Sequence, residues 1–145
     1  MRIRTAHLAI LVLALVATGC SFLNNGNVFE LAVGDCFDDS SSTETELSDV
    51  PVVDCAEPHD NEVFFTFEMA DGDFPGDQAI LDEAESRCLP AFEDYVDRDY
   101  ATSELDIFPI TPTAGSWGNG DREVICALYD LDLDKLTGSM QGSGV

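Results

Sequence analysis

His59 carries the densest chemistry in this sequence, because Glu57, Asp60 and Glu62 flank it. An imidazole among carboxylates has the composition of a metal site or of a general base. The same residues also suit a Pro58-His59 turn whose ring is tied into a hydrogen-bond network, and that is the reading we adopt. Arg122 is the other residue of note, a cation in a chain with 29 acidic residues. It is expected to pair with Glu57 or Asp60 and so to lock two distant stretches together. Trp117, in a Gly-rich loop with Gly118 and Gly120, suits either a binding anchor or a core plug.

Two acidic runs have the spacing of calcium loops, Asp71-x-Asp73-x-Pro75-Gly76 and Asp130-x-Asp132-x-Asp134. The first places Pro75 where a ligand belongs. The second places Lys135 where the turn glycine belongs and Gln141 where a bidentate glutamate is needed. Both are read as solvated acidic faces. The sequence has no G-x-S-x-G elbow, C-x-x-C pair or phosphate-cradling glycine loop. A non-catalytic protein without a cofactor or metal is therefore expected. The competing reading is a calcium-responsive or hydrolytic surface protein built on His59 and the acidic loops.

The five cysteines divide into Cys20 and a set of four, Cys36, Cys55, Cys88 and Cys126. Arg2, Arg4 and the apolar run from Leu8 to Ala17 form a signal-peptide pattern, too short to span a bilayer. It ends in Ala17-Thr18-Gly19-Cys20, which resembles the bacterial lipobox, with Ala17 where that pattern has leucine. The resemblance implies cleavage after residue 19 and a diacylglycerol (palmitate-type) anchor on Cys20, on the outer face of the membrane. The other four cysteines then lie in an oxidising compartment and form two disulfides. Three connectivities are open. Cys36 with Cys55 staples the ends of a polar loop, and Cys88 with Cys126 pins a helix to a strand, so that pairing is expected. Chain-entropy arguments give about 3 kcal/mol for the shorter loop and about 4 kcal/mol for the longer.

Removing residues 1–19 leaves four basic residues against 29 acidic ones, a net charge of −25. A nucleic-acid partner is excluded, since no basic patch is available to release counterions. The expected partners are the membrane, through the lipid on Cys20, and an envelope protein or cell-wall component.

The elements that must position these residues follow from periodicity. Val28 to Cys36 reads as a strand, and residues 38–49 as a polar loop followed by a short apolar run, Val50 to Val53. From Glu62 to Met69 strict alternation predicts a half-buried strand, with Val63, Phe65, Phe67 and Met69 inward and Phe64 on the wetter face. Residues 77–96 predict a helix with the stripe Ile80, Ala84, Cys88, Phe92 and Tyr95, kinked at Pro90. Its wet side offers the pairs Glu83 with Arg87 and Asp94 with Arg98. Leu105 to Pro112 and Glu123 to Tyr129 are two further strands. The fold class is α+β: a small antiparallel sheet on one main helix, stapled by two disulfides. The expected organisation is a signal peptide (1–19), a lipidated N-terminus and polar leash (20–27), one domain (28–137) and a mobile tail (138–145).

Several stretches resemble the septum-formation domain of actinobacterial envelope lipoproteins. They are Cys55-Ala56-Glu57-Pro58-His59-Asp60-Asn61-Glu62-Val63-Phe64 and Trp117-Gly118-Asn119-Gly120-Asp121-Arg122 with Cys126. Val33-Gly34-Asp35-Cys36-Phe37 and Leu136-Thr137-Gly138-Ser139 match as well. Met140-Gln141 depart from the pattern, which has a bulky residue and a basic one there. The resemblance implies a role near the division septum, with Glu57, Pro58, His59, Asp60, Glu62, Trp117, Gly120, Asp121 and Arg122 in structural or binding roles. It implies no reaction.

Overall fold

The computed structural model describes residues 24–39 and 49–145. The expected signal peptide (1–19), the expected lipidation site Cys20 and residues 21–23 and 40–48 lie outside the described residues. Among the described residues six strands form one antiparallel sheet: β1 (Asn24–Asn27), β2 (Cys36–Phe37), β3 (Asp49–Val53), β4 (Asn61–Glu68), β5 (Leu105–Ile110) and β6 (Glu123–Asp130), in the order β1-β3-β2-β4-β6-β5. The main helix, α1, is Asp77–Val96, and a short helix, α2, is Ala114–Gly118.

β6 runs through the middle of the core. Val124, Cys126 and Leu128 point to the α1 side, and Ile125 and Ala127 to the other, so the continuous apolar run fills both faces. The α1 side holds the larger core, with Phe64, Phe67, Ile80, Ala84, Phe92 and Trp117. On the opposite side Val28, Leu31, Phe37, Val50 and Val63 form a smaller one.

α1 has the expected limits and runs unbroken through Pro90. Its buried stripe is Ile80, Ala84, Cys88, Phe92 and Val96. Val96 continues the i,i+4 series, while Tyr95 sits at the flank of the stripe, half-buried. Arg87 reaches Glu83 at 3.7 Å and lies 4.0 Å over the Phe67 ring. Arg98 does not turn to Asp94; it donates to the Thr102 carbonyl at 2.9 Å and to the Gly144 carbonyl at 3.2 Å. The expected disulfides are present, Cys36 to Cys55 and Cys88 to Cys126, with Cα separations of 5.2 and 5.8 Å.

Four expectations are corrected. Val28–Glu30 is a 3-10 turn and only Cys36–Phe37 is strand, because Val28 and Leu31 fold back to cover the small core. Asn24–Asn27, read as leash, pairs with β3 from Asn24 opposite Val52 to Asn27 opposite Asp49. β4 carries a bulge between Val63 and Phe65, so its alternation breaks. Val63 faces the small core, while Phe64 is buried against the ring of Phe92. Residues 138–145, read as mobile, are docked. The N–H groups of Gly142 and Gly144 donate to the carbonyls of Tyr95 and Val96, both at 2.8 Å, satisfying acceptors that the end of a helix leaves open.

Candidate functional site

The stretch from Cys55 to Glu62 enters β4 through a tight turn in which Asp54 accepts from the N–H groups of Ala56 and Glu57. This turn puts His59 opposite Leu136, and the two exchange backbone hydrogen bonds of 3.0 and 2.9 Å. The Gly138 N–H also donates to the Cys55 carbonyl at 2.7 Å. The matched stretches around residues 55–62 and 136–139 are thus one structural joint. At its centre the His59 ring is fully buried. Nδ1 lies 2.8 Å from the Glu57 carbonyl oxygen and therefore carries a proton, since a carbonyl only accepts. Nε2 is buried without a partner.

Glu62 is fully buried beside it. Its Oε1 accepts from the Tyr95 hydroxyl at 2.8 Å and the Ser139 hydroxyl at 2.5 Å, and Oε2 accepts from the Met140 N–H at 2.6 Å. One carboxylate therefore ties β4 to α1 and to the C-terminal segment. Burial and the bond to Glu62 push the Tyr95 hydroxyl pKa up to about 12. Alternation placed Glu62 and Phe64 together on the wet face of the strand; that face is instead covered by α1, and the bulge after Val63 brings Phe65 and Phe67 to it as well. Glu57 and Pro58 are exposed at the turn.

Asp60 sits at the rim. Its carboxylate meets the Lys135 ammonium at 2.8 Å and accepts from the Asp39 N–H at 2.9 Å, and Lys135 also meets Asp38 at 2.7 Å. Burial works to raise the Asp60 pKa, but the Lys135 and Asp39 hydrogen bonds and the Lys135 charge outweigh it, so the net shift is downward. Lys135, not Arg122, is the cation that serves this motif. The count of charges gave no way to choose between them.

The second matched stretch builds a separate joint. Thr113 caps α2, exchanging bonds of 3.1 and 3.0 Å with Ser116. This sets Trp117 in the core, where its Nε1 donates to the Gly72 carbonyl at 3.0 Å and its ring meets Phe74 edge-on. Of the two readings of Trp117, the structure has the core plug. Gly120 takes φ of 98°, the left-handed region a side chain would resist. Arg122 then folds back over the indole at 3.9 Å and donates to the carbonyls of Trp117 at 2.8 Å and Asp121 at 2.6 Å. Its carboxylate neighbour is Asp71 at 3.6 Å, not Glu57 or Asp60. The expected lock between the two motifs is replaced by a local stack that fastens residues 71–74 to α2. Asp121 turns its carboxylate to the Glu123 N–H.

In the second acidic run one carboxylate is used within its own loop. Asp130 accepts from the N–H groups of Asp132 and Asp134 at 2.8 and 3.4 Å. Asp106, unnoticed in the sequence, accepts from the hydroxyls of Tyr100 and Tyr129. The hydrogen bond to Asp106, with burial, pushes the Tyr100 pKa up to about 12. The nearest approach to a metal-ligand set is a ring nitrogen of His59, the Cys36 sulfur and a Glu62 oxygen, all within 4.8 Å of one another. That set does not fit a cation here, because the sulfur is bound in a disulfide and both Glu62 oxygens already accept hydrogen bonds.

Fold and joints together define a small disulfide-stapled α+β domain whose ionisable motif residues hold its segments to one another. The family model for septum formation matches residues 33–143, so the chain belongs to the septum-formation family. No curated protein and no solved structure matches the chain.

Proposed function

We propose that this chain is a lipoprotein of the cell envelope, held by lipid on Cys20 at the outer face of the membrane, and that its domain acts there as a non-catalytic binding or structural module linked to septum formation. The observation that carries this reading is the use made of the motif residues. His59, Glu62, Trp117 and Arg122 are turned inward and spent on joining β4, α1, α2 and the C-terminal segment. The outward surface is dominated by carboxylates, which suits an envelope protein or cell-wall component and repels polyanions.

Crosslinking in growing cells, followed by microscopy of a tagged chain, tests the reading. The expected outcome is a reproducible envelope partner and enrichment at the septum, with Cys20→Ala releasing the protein to the medium or leaving it unprocessed. Normal processing and retention of Cys20→Ala would remove the anchor. Saturable calcium binding by calorimetry would favour a calcium-responsive protein instead.

A further inference from the structure

The two disulfides stand in different surroundings. Cys88 and Cys126 are both buried beneath α1. In the other pair Cys36 is buried, whereas Cys55 is partly exposed on a turn with its sulfur 3.4 Å from the Gly34 carbonyl. Exposed disulfides are the labile ones as a class. The buried sulfur has a neighbour that the fold leaves unexplained: His59, whose Nε2 has no hydrogen-bond partner. A buried polar atom left unpaired is rare in native proteins and calls for a reason. Nδ1 is fixed as a donor to the Glu57 carbonyl, so Nε2 is the ring nitrogen left open.

We infer that the Cys36–Cys55 disulfide is a thiol-exchange site, in which Cys55 receives an incoming cysteine thiol and His59 serves the departing Cys36 sulfur. The thiolate of a partner polypeptide's cysteine attacks the Cys55 sulfur in line with the disulfide. The bond to Cys36 breaks and its electron pair stays on the Cys36 sulfur. The proton given up by the incoming thiol ends, by way of His59 Nε2, on the Cys36 thiolate. One thiol and one disulfide become one mixed disulfide and one thiol, and no other oxidant or reductant is used. The charged groups around the ring are Glu62, from β4, and Asp60 with its partner Lys135, from the turn and the segment opposite. The Cys55 carbonyl also holds the Gly138 N–H, so an adduct at Cys55 bears on the docking of the C-terminal segment. This chemistry concerns one bond of the domain itself and stands whether or not the domain works at the septum.

The test treats the oxidised full domain with reduced glutathione, quenches with acid, and maps the adducts by peptide mass. The expected result is glutathione on Cys55, a free Cys36 thiol, an intact Cys88–Cys126 bond and an unchanged circular dichroism spectrum. In His59→Gln, if folded, the rate of adduct formation should drop by roughly a hundredfold, the low end of what a positioned acid contributes. Glutathione on Cys36, or opening of both disulfides together only as the domain unfolds, overturns the inference, and neither result depends on any variant folding. A folded His59→Gln domain that exchanges at the wild-type rate overturns the role of His59.

Discussion

Replacing Glu62 with Gln changes one heavy atom at the point where three segments meet. The Met140 N–H cannot rotate away, so the amide oxygen of Gln must face it. The amide NH₂ then turns to the hydroxyls of Tyr95 and Ser139, which can reverse and accept. All three contacts survive in form and lose their charge. Charge-assisted hydrogen bonds are roughly twice as strong as neutral ones, and those to charged groups contribute about 1.5–3 kcal/mol each against about 1 kcal/mol for neutral ones. Part of the difference is offset because the neutral amide costs less to bury. We therefore expect a net loss of about 2–3 kcal/mol, a large share of the ~5–15 kcal/mol that holds a domain of this size. Glu62→Ala, which strands a buried N–H and two hydroxyls, should cost about 4–5 kcal/mol. Urea unfolding gives the magnitude, and hydrogen exchange at the Met140, Gly142 and Gly144 amides gives the location. A Glu62→Gln domain with the wild-type urea midpoint and full protection at those amides would refute the role assigned to this carboxylate.

Arg122→Ala removes the stack on Trp117 and two hydrogen bonds, and should lower stability by about 1–2 kcal/mol; Lys should rescue little, lacking a planar group to stack. An unchanged melting temperature with loss of a crosslinked partner would instead make Arg122 a recognition residue. Tyr95 and Tyr100 hold their protons up to about pH 12 when folded, against a usual value of 10. Their contribution is complete below pH 10 and is lost as the pH rises through that window. Absorbance at 295 nm followed beside circular dichroism checks this, and ionisation near pH 10 with the fold intact would contradict it. Burial, then the charges of Glu68 and Asp121, raise the Glu123 pKa. Its stabilising share is present below the usual carboxyl value and lost as the pH rises, so at pH 7 the charge is a burden. Glu123→Gln should gain about 0.5 kcal/mol at pH 7, of the order of a cross-strand like-charge pair, and nothing at pH 3; a loss at pH 7 in thermal melts would overturn this.

The parts of the fold legible in the sequence are those where side-chain period and burial agree. α1 repeats its apolar residues every four positions over five turns, so its limits and its cysteine's orientation followed, and with them the Cys88–Cys126 bond. The β4 phase did not follow, because one inserted residue at Val63–Phe65 reverses every later position and leaves no mark in composition. β1 and the C-terminal segment were missed for a related reason. Asn24–Asn27 and Gly142–Gly144 dock through backbone N–H and C=O groups, and these are the same in every sequence. The septum-formation motifs pointed to residues that matter, but their partners were out of reach. Glu62 binds residues 33, 77 and 78 positions away, and Lys135 pairs across 97.

The pairing of Asn24–Asn27 with β3 also sets a length scale. If Cys20 carries the lipid as proposed, only the chain between residues 20 and 24 separates the bilayer surface from the first edge of the sheet, a reach of at most about 14 Å. Adjacent strands lie ~4.8 Å apart, so β5, at the far end of the order β1-β3-β2-β4-β6-β5, stands up to about 24 Å beyond β1. So short a tether gives the domain little freedom to tumble. On that proposed anchor the β1 rim would stay within this reach of the headgroups, and the β5 rim would face outward.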